Sequence, residues 1–228
     1  LSCFFVTPDT AEGWAVGLAS PDHWREGHSA HSLANTWHPA NGFPQSVSTA
    51  FAASELGELE FIAGIPEYKV ALPGGDAASQ TDLFVFARAS NAGTVAIAVE
   101  GKASEPFGGN IVSDWRVGTS EKSRENRAER LRFLLHVLGL QDDEVLGEQR
   151  YQLLHRTASA LIEAERLHAS CAVMLVHSFG GENKWFEDFA SFSSLLGAEV
   201  EVGSVARAAN ATRPLYLGWV SDPYPETS

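Results

Sequence analysis

A chain of 228 residues with 44% hydrophobic and 20% charged residues is long enough to bury one core without staples. No apolar run approaches the about 18 residues of a membrane span, and two cysteines without a CxxC partner, Cys3 and Cys171, exclude a zinc knuckle and argue against a disulfide framework. The net charge of −13 weighs against a tight grip on long duplex nucleic acid, because phosphate contacts need a basic face. Residues 1–8 show no basic stretch followed by an apolar one, so no signal peptide is visible and a cytoplasmic protein is expected.

In chain order, residues 14–19 are expected to form a short strand. Residues 29–37 read as a helix, because Ala30, Leu33, Ala34 and Trp37 fall at i, i+3, i+4 and i+7. A loop at 41–44 leads to a second helix over 46–63, with Val47, Phe51, Ser54, Glu58 and Ile62 along one stripe. Pro66 changes the period, and Tyr68 and Val70 suggest a strand closed by Pro73-Gly74-Gly75. Residues 81–88 and 94–102 read as the second and third strands, with a turn at 90–93. An arginine-rich helix over 121–138 follows, then a helix over 149–168, an apolar strand at 172–176, a helix at 185–196 ended by Gly197, and a strand at 215–220. This order predicts an α/β fold, one domain over 1–228, whose mixed sheet begins with hairpins and gains later strands by helical crossover.

The second and third strands carry the chemistry. Asn91 lies midway between Asp82 and Glu100, inside the predicted turn, so an unbulged hairpin sets the two carboxylates beside each other on one face. The period of two adds Lys102 to that face. Adjacent carboxylates repel and raise each other's pKa unless a cation lies between them. Oxygen ligands suit Mg²⁺ or Mn²⁺, with Asp82, Glu100 and the Gly101 carbonyl as the expected ligands. Lys102 is placed to orient a water or to stabilise charge on phosphate oxygens.

Asp82 followed by Glu100-Gly101-Lys102, with a helix before the strands and helices after them, resembles the PD-(D/E)XK nuclease superfamily. Residues 22–116 and 150–190 are similar to an uncharacterised bacterial family placed in it, through PEYKVALPGG (66–75), SQTDLFVFAR (79–88), AVEGKASEPFG (98–108) and YQLLHRTASALIEAER (151–166). The resemblance implies a restriction-endonuclease-like core, Mg²⁺ and phosphodiester hydrolysis, with Asp82 and Glu100 on the metal and Lys102 as the catalytic lysine. Thr81 stands where the superfamily commonly has proline before the first acid. In related nucleases the helix after the third strand lends a glutamine or a basic residue, and Gln152 and Arg156 match that role. The same two residues form a polar stripe with Ser159 and Glu163 opposite Tyr151, Leu154, Ala158 and Leu161. The candidates for a third acid are Glu58 on the helix and Glu67 on the strand, with Glu105 in support just past the third strand.

Other features are weaker. Lys122, Arg124, Arg127, Arg130 and Arg132 make the 121–138 helix the best basic patch, but Glu121, Glu125 and Glu129 interleave with them, and an ion-paired solvent face is the expected state. His28 and His31 share a helix face, yet no third ligand completes a zinc site. Gly101-Lys102 lacks the glycine and hydroxyl of a phosphate loop, and no GxSxG elbow surrounds a serine. Trp14, Trp37, Trp115, Trp185 and Trp219 are expected in the core. Two functions follow: a Mg²⁺-dependent nuclease acting on single-stranded or short nucleic acid, or an inactive domain of the same fold that binds a partner.

Overall fold

A computed structural model describes residues 2–18 and 20–226. Two helices, α1 (Ser29–Ala40) and α2 (Gln45–Ala52), precede three strands, β1 (Leu59–Val70), β2 (Ser79–Ala89) and β3 (Gly93–Lys102). Then come α3 (Val112–Trp115), α4 (Glu121–Leu138), α5 (Glu144–Gly147) and α6 (Tyr151–Arg166), followed by β4 (Cys171–Phe179), α7 (Phe186–Leu195), β5 (Ser204–Arg207) and β6 (Leu215–Asp222). The result is α/β, a six-stranded mixed sheet in the order β1-β2-β3-β4-β6-β5 flanked by helices. β1, β2 and β3 are antiparallel neighbours; β4 joins β3 and β6 in parallel, and β5 pairs with β6 antiparallel.

The alternation of side chains sorts β2 and β3 between two cores. Phe84, Ala96 and Ala98 face one layer with Leu134 and Leu138 of α4, Leu153, Leu154, Ala158 and Leu161 of α6, and Phe189 and Phe192 of α7. Leu83, Val85, Ile97 and Val99 face the other, with Leu33 and Trp37 of α1 and Val47 and Phe51 of α2. β4, buried at all nine positions, needs no polar face because helices cover both sides. The ends of α4 follow capping chemistry: the Ser120 hydroxyl accepts from Ser123 N, and Gly139 closes the helix at φ 75°. Trp14, Trp37 and Trp219 are buried, whereas Trp115 and Trp185 are half-buried.

Four local expectations are corrected. Residues 14–17 are not a strand but the end of a 3₁₀ helix over Ala11–Gly17, started by the Thr10 hydroxyl accepting from Gly13 N; Ala19 lies outside the described residues. The helix expected over 46–63 stops at Ala52. Gly57 turns the chain at φ 71°, and β1 then starts at Leu59, paired with Ala89 of β2. The apolar residues of 59–63 satisfy a period of two as well as a helical stripe, and pairing with β2 decides between them. The ion pairs expected along α4 do not form among the described residues. Arg127 instead donates to the carbonyls of Trp115 and Val117, and Arg130 to those of Leu72, Pro73 and Gly75. Loop carbonyls that lack a ladder partner gain more from a guanidinium than an exposed glutamate does. The short edge strand β5 was not expected at all; only Val205 among its four residues is buried, which leaves little apolar signal. No helix among the described residues is long and apolar enough to cross a membrane.

Candidate active site

The β2–β3 ladder runs from Ala89↔Gly93 to Leu83↔Val99, the register that centres the hairpin on Asn91. Asp82 and Glu100 are the next opposed positions. There the backbone pairing gives way to a side chain: Asp82 Oδ2 accepts from Gly101 N at 2.8 Å. On the outer side, Glu67 falls between the β1–β2 pairs Pro66↔Leu83 and Tyr68↔Thr81. Three carboxylates therefore stand abreast on three adjacent strands. Glu67 has φ 54°, a left-handed conformation that costs a non-glycine residue about 1–2 kcal/mol. Its carboxylate is pinned by Gln80 Nε2 at 2.6 Å, which also donates to Gly17 O and so ties the 3₁₀ helix to the site.

Glu100 is the hub. It is 1% exposed, and three donors converge on its carboxylate: Lys102 Nζ at 2.5 Å and Gln152 Nε2 at 2.6 Å on Oε1, and Arg156 Nε at 2.6 Å on Oε2. Arg156 Nη1 donates onward to Ser79 Oγ at 3.2 Å, and Ser79 Oγ lies 2.8 Å from His155 Nδ1. The first turns of α6 thus deliver Gln152 and Arg156 to the sheet, one helical turn apart on one face. Lys102 is buried with its ammonium 4.9 Å from the centre of the Phe107 ring.

These positions separate the three carboxyls electrostatically. Burial pushes Asp82 up to about 7, and the Glu100 charge adds to it. Burial, helped by Asp82, pushes Glu67 up to about 8. Burial acts the same way on Glu100, but the Lys102 ammonium and the Arg156 guanidinium overcome it and hold that carboxyl down at about 2. Burial and Arg156 keep the His155 imidazole well below its ordinary value, hence neutral.

Glu67, Gln80, Asp82, Glu100, Lys102, Gln152 and Arg156 all line one pocket of about 550 Å³. The sequence-predicted set Asp82, Glu100, Lys102, Gln152 and Arg156 is brought together there, with Gly101 held next to it through its N–H to Asp82, and Glu67 is the third acid beside them. Glu105 also faces the pocket, with Oε1 accepting from Ser29 N at 2.9 Å. Glu58 does not: it sits at the far end of the hairpin, where its carbonyl accepts from Ser90 N, because β1 begins after it. Gln80, Ser79 and His155 were missed. Gln80 alone had a signal, being two residues before Asp82 on the same strand. His23 and His28 line the pocket mouth, whereas His31 packs its ring against Trp24.

The pocket suits a hard divalent cation in its donor chemistry. Its oxygens are carboxylates and amides, burial raises two of the carboxyls toward neutrality, and Gln152 Oε1 and Glu105 Oε2 are buried acceptors without a partner. Among the described residues no three His, Cys, Asp or Glu side chains are grouped to hold a metal ion by themselves. No curated protein and no solved structure matches the chain. A family model does match over residues 8–224, and the chain belongs to that family, a domain of unknown function (DUF6946).

Proposed function

We propose that the chain is a cation-dependent phosphodiester hydrolase of the PD-(D/E)XK kind, built on a restriction-endonuclease-like core. The observation that carries this reading is the placement of Glu67, Asp82 and Glu100 abreast on β1, β2 and β3, with Lys102 on the same face. The order of elements supports it: α1, three antiparallel strands, helices, then a strand parallel to β3.

Asp82, Glu100 and the carbonyl of Gly101 would hold Mg²⁺ or Mn²⁺, completed by water and by the free oxygens of Gln152 or Glu105. Such an ion, when bound, supplies Lewis acidity and a water of lowered pKa. The chain's own groups do the rest. Lys102, buried and lining the pocket beside Glu100, offers a positive charge to phosphate oxygens in surroundings of low polarity. Arg156 keeps Glu100 ionised, and Gln152 anchors its Oε1 side. Asp82 and Glu67 store protons near neutrality and release them when positive charge enters the pocket.

The expected substrate is single-stranded or short nucleic acid. Leu18, His28, Ser29, Glu105, Pro106 and Gly108 also line the pocket, and the charge of −13 discourages long duplex. Both cysteines are free, which suits the reducing cytoplasm. One observation favours the inactive alternative: the Glu100 oxygens are already satisfied by Lys102, Gln152 and Arg156, an arrangement that holds the domain together without a cation.

The test is cleavage of single- and double-stranded DNA and RNA in Mg²⁺ and Mn²⁺, with wild type and Lys102→Ala side by side. The hydrolase reading expects turnover from wild type and a loss on the order of 100-fold in Lys102→Ala. Equal rates would place the activity elsewhere; no cleavage of any substrate would favour the partner-binding domain.

A further inference from the structure

The longest helix carries a second concave surface, away from the carboxylate pocket. A groove of about 590 Å³ lies between α4 and the turn that follows it. Its floor includes Leu131, Leu135 and Leu140, and no Phe, Tyr or Trp lines it. Arg116, Arg124 and Arg132 surround that floor. Arg124 and Arg132 are exposed and enter no ion pair among the described residues. Arg116 donates from Nη2 to Asp142 Oδ1 at 2.6 Å, while its Nε–H is buried without an acceptor.

We propose that this groove binds an acidic amphipathic peptide segment of a partner protein. Its apolar side chains cover Leu131, Leu135 and Leu140, and its carboxylates pair with Arg116, Arg124 and Arg132. Charge complementarity selects this occupant: a chain of net charge −13 gathers three arginines around one apolar depression. An apolar centre with an arginine rim is how peptide grooves and interface cores are built. Guanidinium groups engage carboxylates through paired hydrogen bonds.

Nucleic acid fits this surface less well. Glu121, Glu125 and Glu129 recur every fourth residue along the exposed side of the same helix but do not line the groove, so a long phosphate backbone laid over α4 meets them whereas a short peptide confined to the groove does not. The floor also offers no aromatic ring on which a base can stack. The proposal does not depend on hydrolysis at the carboxylate pocket.

The experiment is fluorescence anisotropy of a dye-labelled synthetic peptide of alternating leucine and glutamate pairs, titrated with the full chain. A leucine–lysine peptide and a single-stranded oligonucleotide serve as comparisons. The expected result is saturable binding of the acidic peptide, weakened by salt. It falls at least about tenfold in the double variant Arg124→Glu/Arg132→Glu and is largely kept in Arg124→Lys/Arg132→Lys. Both arginines are exposed and unpaired, so the variants keep the fold, which circular dichroism checks. The proposal is overturned if wild type shows no saturable binding at millimolar peptide, if the charge reversal leaves affinity unchanged, or if the oligonucleotide binds more tightly through the same arginines.

Discussion

Replacing Glu67 by glutamine should make the protein more stable above neutral pH. Asp82 is raised from 3.8 to about 7 and Glu67 from 4.5 to about 8. Folded-state values above the unfolded ones mean that the protonated forms favour folding. Their contribution is full below the unfolded values and is lost as pH rises through the folded ones. Each pKa unit is worth about 1.4 kcal/mol, so a shift of roughly three units sets an upper bound near 4 kcal/mol per group. Asp82 is partly exposed and the two groups act on each other, so the combined loss between about pH 5 and pH 9 should be nearer 2–4 kcal/mol. In a chain of this size each kcal/mol moves Tm by about 2–4 °C, so wild type should lose roughly 5–15 °C across that window. Glu67→Gln keeps an acceptor for Gln80 Nε2 and removes one charge, which should cut the loss to about half or less. Differential scanning calorimetry across the pH series is the assay. A flat wild-type profile, or an unchanged slope in Glu67→Gln, refutes the picture of crowded carboxyls.

Two further substitutions probe other parts of the network. Arg156→Met leaves Glu100 with Lys102 as its only cation, and breaking this buried pair should cost about 3–5 kcal/mol by urea denaturation. His177→Phe removes the acceptor of Trp37 Nε1 at 2.9 Å and the Asp222 partner at 3.0 Å. The stranded groups should cost on the order of 2–4 kcal/mol. Burial holds His177 below its ordinary 6.5, so its contribution is present above that value and is lost as pH falls below it. The variant should therefore lose less stability than wild type on acidification, a difference that parallel urea series above and below that value would measure.

Much of the site could be read from the residues because it rests on arithmetic within one hairpin. The spacing of Asp82 and Glu100 about Asn91, and of Lys102 two residues on, survives as long as no bulge intervenes, and none does from Ala89↔Gly93 to Leu83↔Val99. Helical spacing put Gln152 and Arg156 in one polar stripe with Ser159 and Glu163, and only the resemblance to PD-(D/E)XK nucleases singled those two out for the site. The choice between Glu58 and Glu67 was not, because it depends on where β1 begins. Val47, Phe51 and Ile62 fit a helical stripe, whereas Leu59 and Phe61 fit a strand. Only pairing with β2 puts Glu58 at one end of the sheet and Glu67 at the other. The relay from Arg156 through Ser79 to His155 joins β2 to α6 by side-chain packing, for which no local pattern exists. The state of α4 also escaped, since carbonyls from distant loops compete for arginines that the helix alone would pair with glutamates.

The measurement that bears most directly on the carboxylate site is isothermal titration of Mn²⁺ into wild type and Asp82→Asn, near pH 6.5, in buffers of different ionisation enthalpy. Asp82 and Glu67 hold protons at that pH, so wild type should bind one equivalent and release about one proton or more as the cation enters. Asp82→Asn should bind at least about tenfold more weakly and release fewer protons. Saturable binding of equal affinity in both proteins, or no binding by wild type at millimolar Mn²⁺, would contradict the proposal that Asp82 on β2 and Glu100 and Gly101 on β3 hold the cation.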